Sequence, residues 1–337
     1  MKEHNIELTS AEFGQLWCTY MNDSASIPIL KYFLQGVDDL EIKPLIELAL
    51  KMAQEHTEQI ANIFINESYP IPIGFSDEDV NLDAPKLYSD TFILYFIRNL
   101  GKSALAAYGM AFSLVPRSDI VELFSTYIDE TKNLEKSTKE VMLSKGLFIR
   151  SPYIAQPTRP DFIEKQSFLK GWFGERRTLT AVEISHLYMN HQNNTLGKAL
   201  VLGFAQVAQS EELREFFVRG VELSKKIFED LRTILEESTL PAPMTWDTEV
   251  KESTIAPISD KLMLFLINAL TAISIGNMGG SLALCLRRDL TAKYANLIKD
   301  VGLYAEDGAN IMIKNGWFER PPQAMDREFL TKGKSIK

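Results

Sequence analysis

Apolar residues recur at spacings of three and four along most of the chain, which is the period of a helix with one buried face. The clearest stretch has apolar residues at Leu213, Phe216, Phe217, Leu223, Ile227, Leu231 and Ile234. Its counterpart in the first half runs through Ile42, Leu45, Ala49, Met52, Ile60 and Ile63. The alternation of apolar and polar residues that is typical of a strand is nearly absent. The pattern therefore predicts an all-α protein.

The second half of the chain repeats the first half. Residues 8–12 (LTSAE) match residues 179–183 (LTAVE) at an offset of 171 residues, and this offset holds to the Pro-x-Pro sequences at 70–72 and 241–243. A one-residue deletion changes the offset to 170, which then holds to the end of the match at 316–322. A match of this length with a single deletion indicates a tandem duplication.

Each copy is predicted to be a whole domain, because the repeat is far longer than a solenoid unit. A long Pro-rich connection separates the second helix from the third in each copy, at 68–84 and 239–256. Four long helices with one long crossover are the ferritin-like bundle arrangement. The sequence thus predicts a tandem duplication of a ferritin-like four-helix bundle, with the first bundle at 1–155, a linker at 156–178 and the second bundle at 179–337.

Local signals place the starts of several helices. Thr9-x-x-Glu12 and Thr180-x-x-Glu183 are capping boxes and predict the starts of the first helices. The third helices are predicted to begin near Pro85 and Pro257, since proline suits a first helical turn.

The fourth helices are expected at about 117–145 and 287–315. Gly146 and Gly316 follow them, where a left-handed residue commonly ends a helix. Both copies are therefore predicted to end their bundles in the same way.

The third helix of the second copy is unusually apolar. No charged residue occurs from Leu262 to Leu286, which is long enough for a membrane span. The aligned helix of the first copy carries Asp90, Arg98 and Lys102, so this position in the fold does not face lipid. We therefore expect a central helix that is buried on all sides, and no membrane span.

Composition excludes several classes of protein. The 337 residues include 36 Lys and Arg against 45 Asp and Glu, a formal net charge of −9, which argues against a general nucleic-acid binder. Two cysteines cannot form a disulfide scaffold or a cysteine-based zinc site. The polar N-terminus shows no apolar signal segment, so a cytoplasmic, reducing location is expected.

Histidine usage argues against a di-iron centre, which needs Glu-x-x-His on two helices and further glutamates on the others. The histidines are His4, His56, His186 and His191. Glu183-x-x-His186 is the one such motif, and its glutamate already belongs to a capping box. His56 is expected to be a core histidine, since it lies on an apolar stripe. We therefore assign no catalytic, cofactor-binding or metal-binding residue.

Acidic residues occur at equivalent positions in both copies. The pairs are Glu12/Glu183, Glu58/Glu229, Asp90/Asp260, Asp119/Asp289 and Glu130/Asp300. Most of them fall near helix starts, where negative charge serves a cap or favours the helix dipole. Two readings stay open, a shared polar site and inter-helix salt bridges, and we favour the salt bridges, including Arg117–Asp119 and its repeat Arg287–Asp289.

Several of these segments also carry a family resemblance. They are the two Leu-Thr-x-x-Glu starts, the two Pro-x-Pro connections, residues 259–263 (SDKLM) and the tryptophan segments at 171–177 and 316–322. In these segments the chain resembles an uncharacterised family of tandem ferritin-like bundles from endospore-forming Firmicutes that are similar to spore coat proteins. The resemblance covers nearly the whole chain. It implies a fold and a sporulation context but no catalytic residues.

Three functions follow as expectations. The leading one is a non-enzymatic, sporulation- or spore-coat-associated structural or interaction protein, located in the mother-cell cytoplasm or the coat. Its partners would be coat proteins or further copies of itself, with no nucleic acid and no cofactor. The alternative is a ferritin-like metal-binding protein or oxidoreductase. A third possibility is a bundle with an apolar ligand pocket between its helices, which an apolar cavity lined from both sides of Gly109 or Gly279 would favour.

Overall fold

The computed structural model describes residues 6–172, 176–325, 327 and 331. Eight long helices lie in these residues: α1 Ser10–Gly36, α2 Lys43–Asn66, α3 Asp90–Leu114, α4 Ser118–Ser144, α5 Ala181–Val207, α6 Glu211–Glu237, α7 Asp260–Leu284 and α8 Arg288–Lys314. The described residues form no strand and pair only in two isolated β-bridges. The predicted all-α fold is confirmed. His4 and residues 173–175 of the first tryptophan segment lie outside the described residues.

The helices pack in consecutive pairs. α1 packs on α2 and α3 on α4 in the first copy, and α5 packs on α6 and α7 on α8 in the second. A long connection joins the two pairs of each copy, so each copy is a four-helix bundle with one crossover, as predicted. We call helices α1–α4 bundle one and α5–α8 bundle two. The proposed domain limits of 155 and 179 stay a prediction, within the stretch between the end of α4 and the start of α5.

Backbone conformation repeats at the offsets found in the sequence. Ser68 and Thr239 both have positive φ, at 59° and 57°, although side chains rarely adopt this region. Gly146 and Gly316 have φ of 68° and 69° and follow α4 and α8. The predicted left-handed helix ends are therefore confirmed.

The third helices begin later than the prolines suggested. Ser89 and Ser259 are the N-caps of α3 and α7, and each side-chain oxygen accepts a backbone N–H three residues on. Pro85 and Pro257 lie in the connections before these caps. A serine hydroxyl satisfies a free amide of the first turn, which proline cannot do, and this determines where the helices start.

α7 is not buried on all sides, contrary to expectation. Among the described residues it is the one helix long and apolar enough to cross a membrane by length and composition, yet 28% of its most apolar window is buried. Leu262, Met263 and Ile267 face the core, whereas Gly276 and Leu284 are exposed. The apolar composition predicted burial, but it could not show that one face of the helix lacks a neighbour.

The two long connections pair with each other across a pseudo-twofold axis. Val80 bridges Ile258, and their equivalents Val250 and Tyr88 bridge in the same way. The side chains follow the same symmetry. Ser259 Oγ donates to Asp79 Oδ1 at 2.6 Å, and the equivalent Ser89 Oγ donates to Glu249. An interface in which each contact has its mirror is isologous, as in a symmetric dimer.

Buried apolar residues of both bundles form one continuous cluster. At its centre the Tyr88 hydroxyl donates to the carbonyl oxygen of Leu200 at 2.7 Å. Gly203 makes room for this ring, because a Cβ atom there would stand 2.3 Å from the Tyr88 hydroxyl. The bundles therefore share a core instead of being loosely tethered.

Candidate functional site

Each helix of bundle one contributes one polar side chain to the same place in the interior. Asp23 comes from α1, His56 from α2, Tyr108 from α3 and Glu130 from α4. The His56 side chain is 2% exposed, that of Asp23 is 14% exposed, and that of Glu130 is 37% exposed. We call these four residues the His56 cluster. Polar groups at such depth need hydrogen-bonding partners, and here they supply them to one another.

The imidazole of His56 lies between two carboxylates. Its Nδ1 is 3.3 Å from Asp23 Oδ2, and its Nε2 is 2.8 Å from Glu130 Oε2. The Tyr108 hydroxyl donates to Asp23 at 3.2 Å, and the ring of Tyr127 stacks on the imidazole with centroids 3.5 Å apart. Both ring nitrogens of His56 are therefore occupied, and the ring is held in one orientation.

The His56 cluster retains a proton to higher pH than a free histidine. Burial alone would lower the pKa of His56, but hydrogen bonds and charge from Asp23 and Glu130 outweigh it and raise the pKa. Burial raises the pKa of Asp23, in part offset by its hydrogen bonds with His56 and Tyr108. Burial, with the nearby Asp23 carboxylate, also raises the pKa of Tyr108 well above its usual value.

This geometry does not form a metal site. The ring of His56 stands between the carboxylates, so its nitrogens and their oxygens cannot converge on one ion. Nowhere in the part of the chain that the structure describes do three or more His, Cys, Asp or Glu side chains surround a point suited to a metal ion. The cluster can bind and hold a proton, and it can present Asp23 to a neighbouring molecule.

A cavity of about 480 Å³ lies beside the His56 cluster. Asp23, His56 and Tyr108 line it, and most of the remaining lining is apolar. From bundle one this apolar lining includes Met52, Ala53, Leu100, Ala104 and Leu134. The cavity thus combines an apolar body with a polar group at one place, which is the composition of small-molecule sites.

Bundle two covers the cavity from the other side. Seven residues of α7 between Phe265 and Ile273, and residues 317–319 of the second tryptophan segment, contribute to the lining. The Glu319 carboxylate accepts hydrogen bonds from the backbone N–H of Ile73 and Gly74, at 2.9 and 3.2 Å. The end of the second copy is therefore attached to the long connection of the first, next to the cavity.

The equivalent space in bundle two is almost filled. Its cavity is about 80 Å³, and most of its lining residues correspond, at the repeat offsets, to those of the larger cavity. Tyr304 replaces Leu134 there, and its ring stacks on Phe216 with centroids 4.3 Å apart. The bundle can therefore be packed without a large cavity, and bundle one leaves the space open.

The His56 cluster also has no counterpart in bundle two. The equivalents of Asp23, His56, Tyr108 and Glu130 are Asn194, Ile227, Met278 and Asp300. Asp300 forms an ion pair at 2.6 Å with Lys226 instead. Of the two readings of the repeated acids, Glu130 thus joins a polar site, and Asp300 joins a salt bridge. These differences between the copies are visible in the sequence and could have identified the cluster.

The remaining histidines lie apart. His186 Nδ1 is 3.0 Å from Ser281 Oγ. His191 is fully buried beside Phe228, and neither ring nitrogen has a hydrogen-bonding partner among the residues that the structure describes. Burial lowers the pKa of His191 to about 4. His186 and His191 therefore do not form a joint site.

The repeated acids near helix starts are structural. Glu183 closes the capping box of α5 and also accepts from Arg177 at 2.7 Å and from the backbone N–H of Arg287 at 3.1 Å. Burial would raise its pKa, but these bonds outweigh burial and lower it to about 2. Arg287 pairs with Asp289 at 2.9 Å, as predicted.

The first copy repeats this arrangement. Glu12 accepts from the backbone N–H of Arg117 at 2.9 Å, and Arg117 pairs with Asp119 at 2.8 Å. Glu58 is exposed, and Glu229 pairs with Arg232 at 3.3 Å. Asp90 and Asp260 each accept a backbone N–H at 2.9 Å, from Asp39 and Ser210 in the turns that join the first two helices of each copy. Apart from Glu130 and the exposed Glu58, the repeated carboxylates therefore serve caps, turns and ion pairs.

Comparison with known proteins places the chain in a family. No curated protein matches it. A matching solved structure is that of a putative spore coat protein from Bacillus halodurans C-125, with 17% identity, a TM-score of 0.41, and coverage of 45% of this chain and 98% of that one. The model of the family "Protein of unknown function (DUF3231)" matches twice, at residues 1–159 and 167–330. The chain therefore belongs to the DUF3231 family and carries its domain in two copies.

Proposed function

We propose that the chain is a non-enzymatic binding protein whose bundle one holds a largely apolar small molecule beside the His56 cluster. The observation that carries this proposal is the cavity of about 480 Å³, since ligand pockets commonly measure roughly 300–1,000 Å³. Tyr108, next to Gly109 on α3, lines this cavity, whereas Gly109 itself does not. The expectation from the sequence was a cavity lined from both sides of Gly109 or Gly279; along α3, this cavity is lined only by residues up to Tyr108.

The contrast between the bundles supports the proposal. An open cavity lacks the dispersion contacts that a filled core would make. In bundle two the ring of Tyr304 makes these contacts. Leu134 is small enough to leave the space beside Met52 and Ala104 accessible. The same fold therefore has a packed version and an open version within one molecule.

Binding of an uncharged fluorescent probe, N-phenyl-1-naphthylamine, tests the proposal. The purified chain should bind it at one site. The double variant Leu134→Tyr with Ala49→Gly copies the Tyr304–Gly220 pair of bundle two, and we expect it to weaken binding about tenfold or more, or 1.4 kcal/mol. Leu303→Tyr adds the same ring at an exposed position and should bind as the unmodified protein does. Equal binding by all three proteins would contradict the proposal.

We further propose that the protein acts in sporulation or at the spore coat. The resemblance of the capping, proline and tryptophan segments supports this context, and coat proteins or further copies of the chain are the proposed partners. Fractionation of sporulating cells should recover the protein in the mother-cell cytoplasm or in the coat extract. Recovery from vegetative cytoplasm alone would remove the sporulation role while leaving the binding role intact.

A metalloprotein remains the alternative, and the geometry does not favour it. His56 uses both ring nitrogens on carboxylates, as described above. Elemental analysis of untagged protein tests it directly, because stoichiometric iron or manganese would replace the binding role by metal chemistry. The absence of a catalytic residue stays a prediction.

A further inference from the structure

We propose that the ligand of the cavity is an amphiphilic amine, an apolar body that carries a protonated nitrogen, and not a fatty acid or another apolar anion. This inference rests on the proposed function, since it names the ligand class of that site. The charged side chains that line the cavity argue for it.

Carboxylates dominate those charges. Asp23 and Glu319 line the cavity together with His56, and no lysine or arginine is among the lining residues that the structure describes. An anionic ligand that moves from water into the cavity would find no cationic side chain to pair with. Desolvation of such an unpaired charge is strongly unfavourable. The cavity therefore selects against carboxylate and phosphate groups.

His56 does not offset this selection. Its Nδ1 and Nε2 face Asp23 and Glu130, so neither N–H is free to donate to a ligand. Two carboxylates face one imidazole, so with both of them ionised the His56 cluster keeps an excess of one negative charge even when the ring is protonated. A protonated amine would supply the missing positive charge.

Asp23 is the residue placed to receive the amine. Its carboxylate keeps 14% of its side-chain surface exposed and lines the cavity, whereas the rest of the cluster lies deeper or on another side. A charge-assisted hydrogen bond from an ammonium group to a carboxylate is among the stronger polar contacts in proteins. The neighbouring apolar wall formed by Met52, Leu100 and Leu134 would hold the hydrocarbon part.

Three probes with the same chain and different head groups test the inference: octylamine, octanol and octanoate. Calorimetric titration of the full chain at neutral pH should show octylamine binding about tenfold more tightly than octanoate, with octanol between them. Asp23→Asn should remove most of the preference for octylamine over octanol. Bundle two carries Asn194 at the equivalent position, so the fold accepts this side chain there.

A second carboxylate variant serves as the control, and two results would contradict the proposals. Asp161→Asn removes an exposed carboxylate of the linker that does not line the cavity, and this variant should bind the probes as the unmodified protein does. Octanoate or octanol binding as tightly as octylamine would overturn the amine inference and keep the proposed binding function. If none of the three probes binds, the proposed function fails and the inference fails with it.

Discussion

The hydroxyl of Tyr304 lies so close to Gly220 that a Cβ atom at that glycine would stand 2.3 Å from it. Tyr304 fills the interior of bundle two, and Gly220 is the residue that gives it space. In bundle one the equivalent residues are Leu134 and Ala49. The ring and the missing side chain are therefore a matched pair, found in one copy and absent from the other.

Gly220→Ala should test this pair. Glycine to alanine in a helix interior normally stabilises by about 1 kcal/mol, but here the methyl group meets the Tyr304 hydroxyl, and overpacking costs about 1–3 kcal/mol. We expect net destabilisation in urea unfolding. Adding Tyr304→Phe should recover part of the loss, because it removes the contact at 2.3 Å but leaves Tyr304 Cζ at 2.9 Å and Val201 Cγ2 at 3.1 Å from the new Cβ. Gly276→Ala is the control, because a Cβ there meets nothing within 4 Å, and it should not destabilise.

His56 should titrate above 6.5, the value of a free histidine. The folded state binds this proton more tightly than the unfolded state does, so its contribution to stability is complete below pH 6.5 and is lost as pH rises through the folded pKa. NMR titration of the imidazole should locate that pKa. Asp23→Asn should lower it, whereas Asp161→Asn should not. A pKa below 6.5 in the unmodified protein would contradict the described hydrogen bonds.

Titration of His191 should change the stability of the protein with pH in the opposite direction. Its pKa in the folded state is about 4 instead of 6.5, so the unfolded state binds the extra proton between these values. Stability should therefore fall as pH drops from 6.5 toward 4, by up to roughly 3 kcal/mol from this residue. His191→Leu should flatten this part of the stability profile measured by urea unfolding. An unchanged slope would show that the ring finds a partner in solution.

The contacts between the two long connections, which we call the seam, should couple the stabilities of the two copies measurably. Ser259→Ala removes both the N-cap of α7 and the bond to Asp79, and should destabilise by about 1–3 kcal/mol. Ser210→Ala removes an N-cap that does not contact bundle one, and should cost about 1 kcal/mol. A double-mutant cycle of Ser259→Ala with Asp79→Ala should give a coupling of about 1 kcal/mol. Additive losses would mean that the seam bond contributes nothing.

Most of the fold could be predicted from the sequence, because its determinants are local. Helical period, capping boxes and terminal glycines each act within a few residues, so α4 and α8 were expected within one or two residues of their observed ends. The starts of α3 and α7 differ from those predicted at the prolines, because the serine N-caps determine where these helices begin. The exposed face of α7 was missed because apolar composition does not specify which neighbours a helix has.

The His56 cluster could not be assembled from the sequence in the same way. Its members come from four helices, with His56 and Glu130 separated by 74 positions, and no local spacing brings them together. The comparison of copies did carry a signal, since Asp23, His56 and Tyr108 are all less polar or uncharged at their equivalents. The replacement of His56 by Ile227, taken alone, is typical of an ordinary core position.

The paired connections have a consequence for how the two interiors can differ. In an assembly of two identical chains, every substitution appears on both sides of the axis, so both interiors must stay the same. Here the seam of Val80 with Ile258 and Tyr88 with Val250 keeps the symmetric contact, while separate codons specify each half. One interior can therefore keep a cavity of about 480 Å³ while the other keeps about 80 Å³, so the two halves of one molecule can take different roles.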